Sequence, residues 1–125
     1  MKQAPNEDFL YEITFYEQLL KKYPDYAEAL SLLSELYTKT GQHEKGLEAD
    51  LRLTRLRPED PTVHYNLACS YSLLRRPKEA LEALERSISL GYNDLHFLQK
   101  DKDLQGLREE PEYRALLDKY FRKSS

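Results

Sequence analysis

The segment between residues 101 and 112 holds the side chains best suited to chemistry, because its oxygen-bearing residues follow the spacing of a calcium-binding loop. The loop positions 1, 3, 5, 6, 9 and 12 are occupied by Asp101, Asp103, Gln105, Gly106, Glu109 and Glu112. A twelve-residue loop of this kind needs oxygen ligands at these positions and a glycine for its sharp turn. Against it, Gln105 replaces the usual Asp or Asn, Arg108 stands where an apolar residue is usual, and Pro111 directly precedes the bidentate ligand. We predict no metal site and keep calcium binding as an alternative, to be tested by calorimetric titration.

Other residues with reactive side chains do not form a recognisable catalytic or cofactor motif. His43, His64 and His96 lack the i,i+4 or similarly short spacing that metal ligation favours. Cys69 is the single cysteine, and no nearby histidine or acid predicts a catalytic triad around it. Free cysteines commonly fill small apolar spaces. The sequence also has no glycine-rich phosphate loop, so we predict no catalysis, no metal and no cofactor.

Length and composition restrict the class of protein. The 125 residues suit one domain, and 40% hydrophobic with 33% charged residues is typical of a folded, helix-rich globule. The formal net charge of −3 lacks the basic excess that binds nucleic acid or anionic lipid. No apolar run reaches the roughly 18 residues that a membrane span needs. Because of this charge and the lack of a long apolar run, we expect neither a nucleic-acid nor a membrane partner. Residues 1–8 have no apolar export signal, which favours a cytoplasmic location.

The chain repeats itself with a period of 34 residues. A shift of 34 places Pro24 on Pro58, Leu33 on Leu67, Tyr37 on Tyr71, and Leu47 on Leu81. Each unit, residues 27–60 and residues 61–94, has the apolar periodicity of two helices separated by a short polar turn. A fixed period of this length indicates a repeat protein built from helical hairpins.

The large and small residues of each unit resemble the pattern of the tetratricopeptide repeat (TPR) family. In the first unit the family positions hold Leu30, Leu33, Ser34, Tyr37, Gly41, Gly46 and Pro58. In the second unit they hold Leu67, Ala68, Tyr71, Ala80 and Leu84. Three residues depart from the pattern: His64 where Trp or Leu is usual, Asp50 where an apolar residue is usual, and Tyr92 in place of the closing proline.

The resemblance implies an all-α fold, a short α-solenoid of stacked helical hairpins in a single domain over residues 1–125. A hairpin cannot bury both of its faces alone, so segments at each end must act as caps. Residues 7–24 are predicted to be an N-terminal half repeat, the second helix of a unit whose first helix is absent. Residues 95–125, which we call the closing segment, resemble the bacterial-type segment that follows many TPR arrays and includes a helix opened by Pro111.

The resemblance also implies a binding groove, because the first helix of each TPR lines the concave face of the stack. The residues at those positions are Glu28, Ser31, Glu35, Thr38 and Lys39 in the first unit, and Thr62, Tyr65, Asn66, Cys69, Ser72 and Leu73 in the second. This mixture suits a peptide, and its acidic residues favour a basic one. We therefore predict a non-catalytic interaction module or adaptor for a protein or peptide partner, with an ordinary solvated face as the alternative. A carboxylate clamp like that of chaperone-binding TPR domains is not expected, since only Asn66 matches it.

The predicted helix at residues 7–24 carries more apolar residues than one neighbouring helix can cover. Its main stripe consists of Phe9, Ile13, Tyr16, Leu20 and Tyr23, and Tyr11, Phe15 and Leu19 widen it. Two interpretations remain open. Either some tyrosines are simply exposed, or Tyr11, Phe15, Tyr16 and Leu19 form a self-association face, which would make the chain an assembly subunit such as a homodimer.

Overall fold

A computed structural model describes residues 5–122, with side chains from Phe9 onward. Within this range the chain forms seven α-helices and one 3-10 helix, and it contains no β-strand. The helices are α1 (Pro5–Lys22), α2 (Ala27–Lys39), α3 (His43–Leu56), α4 (Pro61–Leu73), α5 (Pro77–Ser89), α6 (Leu95–Lys100), the 3-10 helix (Lys102–Leu107) and α7 (Pro111–Phe121). The all-α fold class predicted from the sequence is confirmed.

The helices group into two compact units, Met1–Pro58 and Glu59–Ser125. In the first unit, α1 packs against α2, and α2 pairs with α3. In the second unit, α4 pairs with α5, the 3-10 helix contacts α4, α5 and α6, and α7 packs against α5. Each unit therefore contains one of the two helical hairpins that the 34-residue period predicts. The division of the chain into one domain, with a half repeat and a closing segment, stays a prediction.

Proline, aspartate and left-handed residues set the helix ends. Pro61 occupies the first turn of α4, and the Asp60 carboxylate accepts a hydrogen bond of 2.9 Å from the Thr62 backbone N–H. The turn after α2 uses Gly41 at φ +78°, and Arg75 takes the same repeat position after α4 at φ +60°. In each turn the backbone N–H of the following residue, Gln42 or Arg76, donates a hydrogen bond to the carbonyl five residues earlier. This is the pattern of a Schellman cap.

Small residues bring the helices of the first hairpin together, and a polar pair lies among them. Gly46 and Ala49 of α3 are buried in the same unit as the leucines of α2. Asp50, only 1% exposed, accepts a 2.5 Å hydrogen bond from the Ser34 hydroxyl. An unpaired buried carboxylate would be strongly destabilising. The Ser34 hydroxyl therefore helps the first hairpin to hold an acid where an apolar residue is usual.

Helix α1 begins two residues before the predicted start at Glu7 and ends at Lys22. Of the apolar stripe predicted from the sequence, Ile13 and Leu20 are buried in the first unit, Phe9 and Tyr16 are half-buried, and Tyr23 is exposed. Glu17 accepts a hydrogen bond from the Tyr37 hydroxyl of α2. Burial, followed by this hydrogen bond, raises the pKa of Tyr37 above its ordinary value. These contacts fix which side of α1 faces α2 and which side is turned away from it.

Candidate protein-binding surfaces

The first surface is an exposed side of α2, which we call the α2 face. Its members share one side of the helix because they are three or four residues apart: Glu28, Ser31, Leu32, Glu35 and Lys39. Four of them were predicted from the sequence, whereas the exposed Leu32 was not. The fifth predicted residue, Thr38, is half-buried, and its hydroxyl donates to the Ser34 carbonyl at 3.2 Å.

The two acids of the α2 face are held in ion pairs at the surface. Glu28 lies 3.0 Å from Arg57, and Glu35 lies 3.7 Å from Lys39 one helical turn later. All four side chains are largely exposed, so each pair contributes at most about 1 kcal/mol. A basic group on another molecule can replace either intramolecular partner at little cost in free energy.

The second surface is the corresponding side of α4, which we call the α4 face. It comprises Thr62, Tyr65, Asn66, Cys69 and Ser72. Thr62 is exposed, Asn66 and the neighbouring Leu73 are half-buried, and the other three are buried. The 3-10 helix of the closing segment packs against α4. The expectation that Tyr65, Cys69 and Ser72 line an open surface is therefore corrected, because their own chain buries them.

Tyr65 is the centre of the contact between α4 and the residues that follow α5. Its ring stacks on Tyr92 at 4.4 Å between centroids, with the planes 14° apart, and it contacts Phe97 at 6.2 Å. Its hydroxyl donates to the Asp101 carboxylate at 2.6 Å. Burial and then this hydrogen bond raise the pKa of Tyr65 well above its ordinary value. The aromatic ring and the hydroxyl together attach the closing segment to α4.

The acidic segment that matches a calcium loop has a different structure here. Residues 102–107 form the 3-10 helix, and Glu112 lies in the first turn of α7. Asp101 Oδ1 accepts the Asp103 backbone N–H at 2.9 Å, while its Oδ2 accepts the Tyr65 hydroxyl. The ligand atoms of Cys69, Asp101 and Asp103 lie within 4.8 Å of one another. Both oxygens of Asp101 are thus used in capping the 3-10 helix and in binding α4.

The third surface is the side of α1 turned away from α2, which we call the α1 face. It lines a shallow depression of about 530 Å³, formed by Leu10, Tyr11, Thr14, Phe15 and Gln18. Tyr11 is 82% exposed and Phe15 is 55% exposed. Tyr16 and Leu19, which were grouped with them as a self-association face, are half-buried, and the Tyr16 ring meets Phe15 edge-on at 5.2 Å.

The sequence predicts that the closing segment caps the last repeat, but it does not predict that this segment covers the α4 face. Leu98, Leu104 and Leu107 are completely or almost completely buried in the second unit. Three leucines in a short segment after the last repeat require an apolar surface to cover them. The period of the repeat does not predict that the α4 face is the surface these leucines cover. The contact joins Tyr65 to Asp101, which are 36 residues apart, and a local pattern does not report contacts over that separation.

The two helical hairpins and their 34-residue period define a helical-repeat protein. No helix within residues 5–122 is long and apolar enough to cross a bilayer. Models of the tetratricopeptide repeat match residues 15–48, which run from α1 into α3, and residues 61–91, which contain α4 and α5. The chain belongs to the tetratricopeptide repeat proteins. Members of this family generally mediate protein–protein interactions and are generally not catalysts.

Parts of this chain are similar to three known proteins. A chloroplastic protein of Arabidopsis thaliana is 32% identical over 107 residues, covering 83% of this chain and 30% of that protein. The CTR9 homolog of the same plant is 47% identical over 52 residues, covering 42% of this chain and 5% of that protein. A TPR repeat-containing protein of Picosynechococcus is 39% identical over 67 residues, covering 54% and 17%. The chain spans less than a third of the length of each of these relatives.

Proposed function

We propose that this chain is a non-catalytic adaptor or scaffold that binds a basic segment of a partner protein on the α2 face. The observation that carries the proposal is the contrast between the two first helices. Tyr65, Cys69 and Ser72 of the α4 face are buried, and the 3-10 helix of the closing segment packs against α4. Glu28, Ser31, Leu32 and Glu35 of the α2 face remain exposed. A cytoplasmic location is part of the same proposal.

The covered α4 face offers an example of how a first helix in this chain binds a peptide segment. Tyr65 supplies a flat ring and a hydroxyl donor, and the segment supplies aromatic and acidic partners. At the position of Tyr65 the α2 face has Ser31, and at the position of Cys69 it has Glu35. Because the α2 face carries Glu28 and Glu35, it favours a basic ligand. An apolar side chain of that ligand would lie against Leu32.

A peptide-display selection followed by titration of the purified chain tests this proposal. We expect selected dodecapeptides to be enriched in Arg and Lys, and Glu28→Lys with Glu35→Lys to weaken binding at least about tenfold. A matched control makes the same change in net charge at Glu59 and Glu109, which are exposed residues outside the α2 face. Circular dichroism verifies that both double variants are folded. If both double variants weaken peptide binding equally, the loss of affinity comes from the change in net charge alone, and the proposed site is refuted.

A second candidate function is self-association through α1, which makes the chain an assembly subunit. The observation that favours it is the exposure of Tyr11 and Phe15, since contiguous apolar patches on a surface commonly mark interfaces. Measurement of mass against concentration tests it, because a strict monomer at every concentration contradicts this function.

A further inference from the structure

A cleft lies between α5 and the first half of α7, within the second unit, and we call it the α5–α7 cleft. Its volume of about 530 Å³ falls within the range of pockets that bind ligands. Four of its lining residues are glutamates: Glu82, Glu85, Glu110 and Glu112. The remaining lining residues are one lysine and three apolar residues. The cleft therefore combines apolar surface with an excess of negative charge.

The leucines of the α5–α7 cleft lie deeper than its outer acids and form its floor. Leu116 of α7 is buried and Leu81 of α5 is half-buried, whereas Glu82 and Glu112 are exposed. In the 34-residue register Leu81 corresponds to Leu47, which is buried in the first hairpin. The same apolar position of the repeat thus stays partly open in the second hairpin, where it meets the cleft.

The first hairpin provides an internal reference for the outer residues of the α5–α7 cleft. Glu82 of α5 corresponds to Glu48 of α3, and Lys78 corresponds to Glu44. All four side chains are exposed. Charged residues are the ordinary choice for a side of a helix that faces water. The α5 side of the cleft therefore faces water because of its position in the repeat, whatever residues follow α7.

The negative charge of the α5–α7 cleft is only partly neutralised by its surroundings. Glu85 accepts hydrogen bonds from the Lys119 ammonium at 2.8 Å and from the Tyr120 hydroxyl at 3.2 Å, and this contact ties α7 to α5. The other three glutamates have no ion-pair or hydrogen-bond partner for their carboxylates within the described part of the chain. The helix dipole favours an acid in a first turn, as at Glu112, but Glu82 lies in the second turn of α5. A ligand with positive charge is needed to pair these carboxylates.

We propose that the α5–α7 cleft binds an arginine side chain of a partner protein. The aliphatic stem of an arginine packs against the leucines of the floor, while its charged end remains at the acidic rim. The guanidinium has five N–H donors, so it can pair with carboxylates of α5 and of α7 at the same time. This inference goes beyond the α2 face, because it gives the second unit a binding surface of its own.

NMR titration of the isotope-labelled full chain with the capped pentapeptide Gly-Gly-Arg-Gly-Gly tests the site. Because the carboxylates are at the surface, we expect a dissociation constant of about 1 mM. The largest amide shifts are expected in residues 77–85 and 110–116. The control peptide carries citrulline, which has the shape of arginine without its charge, and it should cause no comparable shifts. Equal shifts from the two peptides, or none from either, overturn the proposal.

The same titration separates this site from the α2 face of the proposed function. Shifts confined to residues 28–39 overturn the α5–α7 cleft while supporting the α2 face. Shifts confined to residues 77–85 and 110–116 support the cleft and count against the α2 face. Shifts in both regions support both surfaces.

Three variants test the charges of the α5–α7 cleft. Glu82→Gln with Glu112→Gln removes two carboxylates, keeps the size of the side chains and should weaken peptide binding at least about fivefold. The matched control, Glu44→Gln with Glu48→Gln, makes the same change in net charge on α3, and equal weakening by the two double variants overturns the site. Lys78→Gln removes the opposing charge and should strengthen binding about twofold. Weaker binding by Lys78→Gln also overturns the proposal, and the NMR spectrum verifies that each variant is folded.

Discussion

Tyr65→Phe isolates the hydrogen bond that attaches the closing segment to α4. The substitution removes the hydroxyl 2.6 Å from Asp101 and keeps the ring that stacks on Tyr92. A hydrogen bond to a charged group contributes about 1.5–3 kcal/mol, and Asp101 is half-buried, so water can partly replace the lost donor. We therefore expect a loss of about 1–2 kcal/mol in the free energy that holds residues 95–107 against α4.

Amide hydrogen exchange followed by mass spectrometry measures this local free energy. A loss of 1–2 kcal/mol corresponds to roughly 5- to 30-fold faster exchange in peptides from residues 95–107. Tyr26→Phe is the control, because Tyr26 is exposed in the first unit, and we expect no change there beyond about 0.5 kcal/mol. If Tyr65→Phe leaves exchange in this segment unchanged, the hydrogen bond does not hold the segment and the reasoning is refuted.

Three further predictions concern pH, the first hairpin and its turn. The pKa of Tyr65 is raised in the folded chain. Above about pH 10 the Tyr65 hydroxyl therefore loses its proton in the unfolded chain but keeps it in the folded chain. The free energy of unfolding then falls with rising pH, and Tyr65→Phe should reduce that slope by up to about 1.4 kcal/mol per pH unit in urea titrations. An identical slope in the variant would contradict the assignment to Tyr65. Ser34→Ala removes a donor to the buried Asp50 and should cost about 1–2 kcal/mol in urea unfolding, whereas a cost near zero would mean that this bond is unimportant. Arg75→Gly should stabilise the chain by about 0.5 kcal/mol and Gly41→Ala should destabilise it by about 1 kcal/mol, because both positions have left-handed φ angles; thermal unfolding measures both, and the opposite signs would disprove the role of the turn.

The hairpins themselves follow from local features of the sequence. The 34-residue period predicts two helices per unit, and the observed α2–α3 and α4–α5 pairs agree with it. Pro61, Pro77 and Pro111 mark the first turns of three helices. Such signals operate within one or two helical turns, so they can be interpreted without knowledge of distant contacts.

Local sequence signals did not predict whether the faces of the two first helices, α2 and α4, are exposed or buried. Ser31 and Tyr65 occupy the same position of the repeat, yet Ser31 is exposed and Tyr65 is 5% exposed. The repeat pattern treats the two positions alike and therefore predicts the same open surface for both. Asp50 is another example, because its departure from the family pattern is understood only with Ser34 beside it in the folded hairpin.

Sequence alone thus determined the helices, their pairing into hairpins and the family of this protein, because apolar spacing and helix-end residues act over short distances. Only the tertiary structure decided that α2, and not α4, keeps its predicted binding face exposed. Burial of Tyr65 depends on Tyr92, Phe97 and Asp101, which lie 27 to 36 residues further along the chain. Contacts over such separations depend on how the chain returns on itself, which no local periodicity encodes.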